Sequence, residues 1–142
     1  MIAVDTNILV YAETPSSEFH PIARDIVERL TGGPDAWAIP WPCIYEFLRV
    51  ITHSGASRRP LPLEIALDDV KSIRRSPSLH LLSETSHHAE IMDLLLRESR
   101  VIADRIFDAR IAALCIEHGV DEILTADRDF RRFPLNVTNP FA

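Results

Sequence analysis

The sequence predicts an α/β domain built on a central, mostly parallel sheet of four to five strands. Short apolar runs alternate with longer stretches of helical period, the order that places crossover helices between parallel strands. Glycine and proline punctuate the ends of those stretches. The chain has 142 residues, 46% hydrophobic and 25% charged, enough for one ordinary globular domain with a closed core. No internal repeat is present.

The first strand is Ile2–Asp5, and TNILVYAE continues it as a helix starting near Thr6 or Asn7, both good capping residues. Pro21–Leu30 follows, with Ile22, Ile26, Val27 and Leu30 as one apolar stripe ended by Gly32-Gly33-Pro34. Ala36–Ile39 reads as the second strand. Pro40-Trp41-Pro42 then sets up a helix over Cys43–His53, since proline suits a first helical turn and nothing deeper. A turn-rich loop with Arg58-Arg59 leads to the surface helix LEIALDDVKSIRR, basic at its C-terminal end. Ser78–Leu82 is a third strand and Ser86–Arg97 a helix. Ala103–His118 is a small-residue, nearly all-apolar helix, hence buried on the sheet, and Gly119 stops it. Glu122–Ala126 is a fourth strand running into Asp127, and Leu135–Thr138 a fifth on the edge.

A formal net charge of −6 argues against indiscriminate attachment to nucleic acid or anionic lipid, which needs many Lys and Arg on phosphates. Any nucleic-acid contact must be local. Cys43 and Cys115 lie in apolar helical patterns without a CxxC and read as reduced and structural. The apolar run at residues 2–4 leads straight to Asp5, with no basic leader or spanning stretch, so a cytoplasmic location is expected. The six histidines form no HExxH, and neither a GxSxG elbow nor a P-loop nor a glycine-rich dinucleotide turn occurs.

What stands out is an acidic set: Asp5 in MIAVDTN, Glu46 in PCIYEFLRV, Asp108 in RIFDARIAAL and Asp127 in ILTADRDF, each where a strand ends or a helix begins. Carboxylates gathered within about 4 Å repel by roughly 4 kcal/mol per pair at an intermediate dielectric, so a fold that collects them favours a cation. A hard, oxygen-liganded Mg²⁺ or Mn²⁺ suits such donors, as one ion or two. Strand ends in a parallel sheet share one crevice, which gives Asp5 and Asp127 a common rim. Asn7 and Thr125 sit beside them as supporting hydrogen-bond partners. Asp5 equally suits a helix cap, and Asp104 and Asp129 are reserves for Asp108 and Asp127. Arg105, Arg128, Arg131 and Arg132 flank the acids closely enough to hold a phosphate backbone, which makes them candidate phosphate contacts.

The motifs DTNILVYA, IYEFLRV, DARIAALCIEHG and ILTADRDF followed by RRFPLNVTNPF resemble, nearly end to end, PIN-domain nucleases of the VapC toxin type. The resemblance implies a three-layer α/β/α fold as one PIN-like domain over residues 1–142. It implies a Mg²⁺- or Mn²⁺-dependent endoribonuclease, the toxin of a type II toxin–antitoxin pair, restrained by a VapB-like antitoxin and acting as a homodimer. It implies Asp5 and Asp108 as direct metal ligands, with Glu46 and Asp127 completing the catalytic pocket through the metal or its waters. The apolar segments WAIPWPCIYEFL and the helix from Pro21 offer a dimer face. Two other classes stay open: a phosphatase or phosphotransfer domain with Asp5 as nucleophile, although Asn7 stands where a haloacid-dehalogenase-like enzyme wants a second Asp, and a catalytically inert protein-binding module.

Overall fold

A computed structural model describes residues 1–55 and 59–142. In chain order the elements are β1 (Ile2–Val4), α1 (Thr6–Ala12), α2 (His20–Gly32), β2 (Trp37–Pro40), α3 (Trp41–Thr52), α4 (Leu63–Arg74), β3 (Leu79–Leu82), α5 (His88–Ser99), α6 (Arg105–Glu117), β4 (Glu122–Leu124) and, after a 3₁₀ turn at Arg128–Arg132, β5 (Val137–Thr138). Arg58 of the Arg58-Arg59 pair lies outside the described residues.

The five strands form one sheet in the order β3-β2-β1-β4-β5, and every pairing is parallel. β1 is central: Ala3 aligns with Ala38 of β2 on one side and with Ile123 of β4 on the other. The chain steps outward from β1 to β2 to β3, then returns over α5 and α6 to β4 on the opposite flank of β1. This reversal opens a crevice beyond the carboxyl ends of β1 and β4, the place where parallel sheets bind ligands. α1 packs on α2 and α3, and α3 on α4, while α5 packs on α6, so the helices form two groups about the sheet. This is the expected α/β/α arrangement.

Burial follows the sequence pattern most closely in α6, where Ala109 and Ile111 through Cys115 are all buried. Small side chains let that helix approach the sheet. β2 is buried along its whole length, and Cys43, Ile44, Phe47 and Ile51 bury one face of α3. The stretch expected to offer a dimer face therefore directs most of its apolar side chains into the core.

Several boundaries differ from expectation, each for a local reason. α3 begins at Trp41 with Pro42 inside its first turn. α5 begins at His88 rather than Ser86, because the Thr85 hydroxyl accepts the His87 N–H and holds that segment in a turn. α6 begins at Arg105 because Arg100 and Ala103 take left-handed backbone angles, φ 55° and 54°, which interrupt helix. β4 ends at Leu124, although the Thr125 N–H still bonds the Thr138 carbonyl of β5 at 3.0 Å, and the Thr125 hydroxyl reaches Asp5 in the crevice.

Candidate active site

Asp5 sits immediately past β1, and its N–H continues the sheet ladder to the Leu124 carbonyl at 3.0 Å. Its side chain is 5% exposed and takes donors from four residues. Oδ1 accepts the Thr6 N–H at 2.7 Å and faces the Cys43 thiol at 3.6 Å. Oδ2 accepts the Thr125 hydroxyl at 2.7 Å and the Asn7 amide at 3.1 Å. Asp5 is thus the cap of α1 and the centre of a polar network at once. Burial pushes its pKa up to about 6, opposed by the Thr125 and Thr6 hydrogen bonds and assisted by the nearby Glu46 anion. Burial and the Asp5 anion likewise hold the Cys43 thiol well above its ordinary value, so it stays protonated as a donor.

Thr125 and Asn7 supply the frame. The Thr125 hydroxyl gives its proton to Asp5 and accepts from the Asn7 amide and the Asp127 N–H, both at 3.0 Å, which uses its full hydrogen-bonding capacity. The Asn7 carbonyl oxygen accepts the Ala126 N–H at 3.0 Å, tying α1 to the segment after β4. Both supporting residues stand where the sequence places them.

Glu46 projects from α3 and accepts the Thr6 hydroxyl at 3.0 Å, one residue along from Asp5. Its other oxygen lies 3.7 Å from Arg49. Asp108, in the first turn of α6, and Asp127, the cap of the 3₁₀ turn, are joined by Arg105: one guanidinium nitrogen donates to Asp108 at 2.9 Å and reaches Asp127 at 3.4 Å. The other nitrogen pairs with Asp129. Burial raises the Asp108 pKa, the Arg105 hydrogen bond lowers it, and the Asp127 and Glu46 anions add to the rise. Glu46 is thereby the anion felt by both Asp5 and Asp108.

An open groove of about 790 Å³ runs along this face, bordered by Tyr45, Glu46, Arg49, Arg105, Phe107 and Asp108. Tyr45 and Phe107 are 63% and 66% exposed. Neither was singled out as a site residue from the sequence. The off-stripe position of Tyr45, opposite the Cys43/Phe47 face of α3, was the available signal. Arg128, Arg131 and Arg132 are exposed on the 3₁₀ turn with no ion pair among the described residues, and they do not border the groove. Of the four predicted phosphate contacts only Arg105 borders it, alongside the unpredicted Arg49 and Arg110.

Residues 2–135 match the PIN domain. The chain belongs to the PIN-domain family. Two relatives of this PIN domain from Mycobacterium tuberculosis carry the name ribonuclease: VapC37, 35% identical over 94% of this chain and 92% of its own length, and VapC48, 30% identical over 97% and 96%. Among solved structures, VapBC2 from Rickettsia felis, bound to a DNA fragment from its promoter, superposes with a TM-score of 0.67 at 21% identity, covering 98% of both chains. That likeness shows the fold.

The donor set of this PIN domain fits a hard divalent cation in kind. It is all oxygen, it opens to a groove, and the mutual repulsion of its anions contributes to the raised pKa of Asp5 and Asp108. In arrangement it is not pre-closed: among the described residues no three acidic, histidine or cysteine side chains already stand as a ligand shell. A positive charge is present nonetheless, the Arg105 guanidinium lying among Asp108, Asp127 and Asp129. Among the described residues no helix is long and apolar enough to cross a membrane.

Proposed function

We propose that this PIN domain is a Mg²⁺- or Mn²⁺-dependent endoribonuclease, acting over residues 1–142 as one catalytic domain, and the toxin of a type II toxin–antitoxin pair in the cytoplasm. A VapB-like antitoxin restrains it and it works as a homodimer, as the VapC resemblance implies. The observation that carries the reading is the placement of Asp5 at the β1/β4 switch point, fixed by four donors and coupled through Thr6 to Glu46 on the groove. Ribonuclease relatives that align over nearly the whole chain support it.

In this reading Asp5 and Asp108 are the direct metal ligands, and Glu46 and Asp127 hold the ion or its waters. Held by these residues, a divalent cation would supply Lewis-acid polarisation of a phosphate and acidification of a water at neutral pH. Thr125 and Asn7 keep Asp5 aimed at the crevice, and Thr6 does the same for Glu46. Tyr45 and Phe107 offer exposed ring faces along the groove, a surface on which unstacked bases of single-stranded or looped RNA can rest. Arg49 and Arg110 line the groove for the phosphate backbone, with Arg128, Arg131 and Arg132 as an outer, freely solvated set. An aspartyl-phosphate mechanism of the haloacid-dehalogenase type lacks its second acid here: Asn7 stands in that place and donates its amide to Asp5 and Thr125.

The test is cleavage of a structured RNA by purified protein in Mg²⁺ or Mn²⁺ against chelator, with Asp5→Asn alongside. Metal-dependent cleavage that vanishes in the variant is the expected result. Cleavage that survives Asp5→Asn, or acid-labile phosphate on Asp5, overturns the proposal.

A further inference from the structure

Arg105 is misplaced by helix electrostatics. It is the first residue of α6, where a cation meets the positive end of the helix dipole, yet its side chain turns back onto three carboxylates. Asp108 lies at 2.9 Å and Asp127 at 3.4 Å, and Asp129 pairs with the same guanidinium. Two of these acids, Asp108 and Asp127, belong to the set proposed to hold the metal. The same guanidinium stands among acids that form no ready ligand shell. Arginine stays charged at any working pH, so it leaves such a site by rotation and never by losing a proton. Its side chain is 43% exposed and borders the groove, which gives it room to swing out.

We propose that Arg105 is a built-in counter-ion: it occupies the acidic site of the metal-free protein, competes with the divalent cation for Asp108 and Asp127, and so sets the affinity of the site for metal. It is a positioning residue, acting through the carboxylates it releases, and after displacement Asp129 keeps it at the groove rim. The inference rests on the proposed ligand set, and it predicts metal binding rather than cleavage.

Mn²⁺ is titrated calorimetrically into metal-stripped wild type, Arg105→Ala, Arg105→Lys and the double variant Arg105→Ala/Asp108→Asn. Arg105→Ala should bind Mn²⁺ about tenfold tighter, the loss of a competitor whose partly exposed ion pairs are each of modest strength. Arg105→Lys, a point charge that cannot span three carboxylates, should fall between, and the double variant should lose the gain. Metal-free Arg105→Ala should melt below wild type and be raised more by Mn²⁺. Equal or weaker Mn²⁺ binding in Arg105→Ala overturns the proposal, as does the absence of Mn²⁺ binding in all four proteins. So does equal destabilisation with and without Mn²⁺, which would make Arg105 only a tie between α6 and the 3₁₀ turn. If Arg105→Ala does not fold without metal, Arg105→Lys decides: affinity unchanged from wild type refutes the idea. Wild-type RNA cleavage is measured separately, so a nuclease reading that fails leaves a shifted Mn²⁺ affinity interpretable.

Discussion

On the sheet side of the site Asp5 is 5% exposed and engaged by Thr6, Asn7, Cys43 and Thr125, whereas on the helix side Asp108 and Asp127 are partly exposed and share one guanidinium. The first arrangement is fixed by short, neutral donors on elements that the sheet holds in register. The second depends on the long, 43% exposed side chain of Arg105. A cation site assembled from one rigid and one adjustable half can pre-set the ligand hardest to desolvate and leave the rest to close around the ion. Mutations on the two sides should therefore fail differently.

The largest expected effect is on the rigid side. Asp5→Asn should lower RNA cleavage by roughly 10³-fold, since it removes the charge of the proposed metal ligand and puts an amide NH₂ where one oxygen of the buried carboxylate accepts hydrogen bonds. Asp127→Asn, on the adjustable side, should cost roughly 10- to 100-fold, in line with loss of an outer ligand. Single-turnover cleavage of one RNA by both variants measures the contrast. Equal losses would erase the distinction between the halves.

The pH dependence of stability sharpens it next. Asp5 titrates at about 6 in the folded protein, against 3.8 for an ordinary aspartate. Between those values the folded chain keeps a proton that the unfolded chain has lost, so this group lowers stability as pH rises through the window, by about 3 kcal/mol in all. Asp108, also raised, acts in the same direction. Bound metal favours the ionised carboxylates and should reverse the slope. Melting temperatures from pH 4 to 7 in chelator and in Mn²⁺ give the comparison, and Asp5→Asn in chelator should flatten the curve. Parallel slopes with and without Mn²⁺ would show that the cation does not meet these carboxylates.

Thr125→Val probes the frame alone. It removes one donor to Asp5, takes from the Asn7 amide one of its two acceptors and orphans the Asp127 N–H, with an expected destabilisation of about 1–3 kcal/mol by urea unfolding and a further rise in the Asp5 pKa. Stability unchanged within error would mean that the network is ornamental to folding.

Local periodicity made the central elements legible: the apolar run ending at Asp5, the small-residue helix around Asp108, and the strand before Asp127. Each depends on neighbours in sequence. What periodicity could not reach is any contact set by tertiary approach. The Thr125 hydroxyl meets Asp5 across 120 positions, and only the crevice argument hinted that they share a rim. The start of α6 was displaced because Arg100 and Ala103 adopt left-handed angles without glycine to announce them. Arg105 is the instructive case: its spacing of three from Asp108 already allowed an ion pair on one helical face, but the pull of Asp127 and Asp129 from a separate turn becomes visible only in three dimensions. The two readings of Asp5, cap and metal-site acid, do not exclude one another: Oδ1 caps α1 on the Thr6 N–H, and Oδ2 takes the Thr125 hydroxyl and no part in the cap.

The smallest expected effect lies outside the groove. Arg131 and Arg132 are exposed, with no ion pair among the described residues, and they do not border the groove, so the part open to them is contact with the phosphate backbone. The double change Arg131→Ala/Arg132→Ala should leave cleavage of saturating RNA intact while weakening RNA binding about three- to tenfold and reducing the slope of log affinity against log salt by up to about 2. Binding is read with Asp5→Asn as background, in Ca²⁺ to avoid turnover. A net charge of −6 makes each such arginine matter more than it would on a basic protein, because few others draw RNA to this face. An unchanged affinity and salt slope would confine RNA recognition to the groove, and so to the residues that also hold the acids.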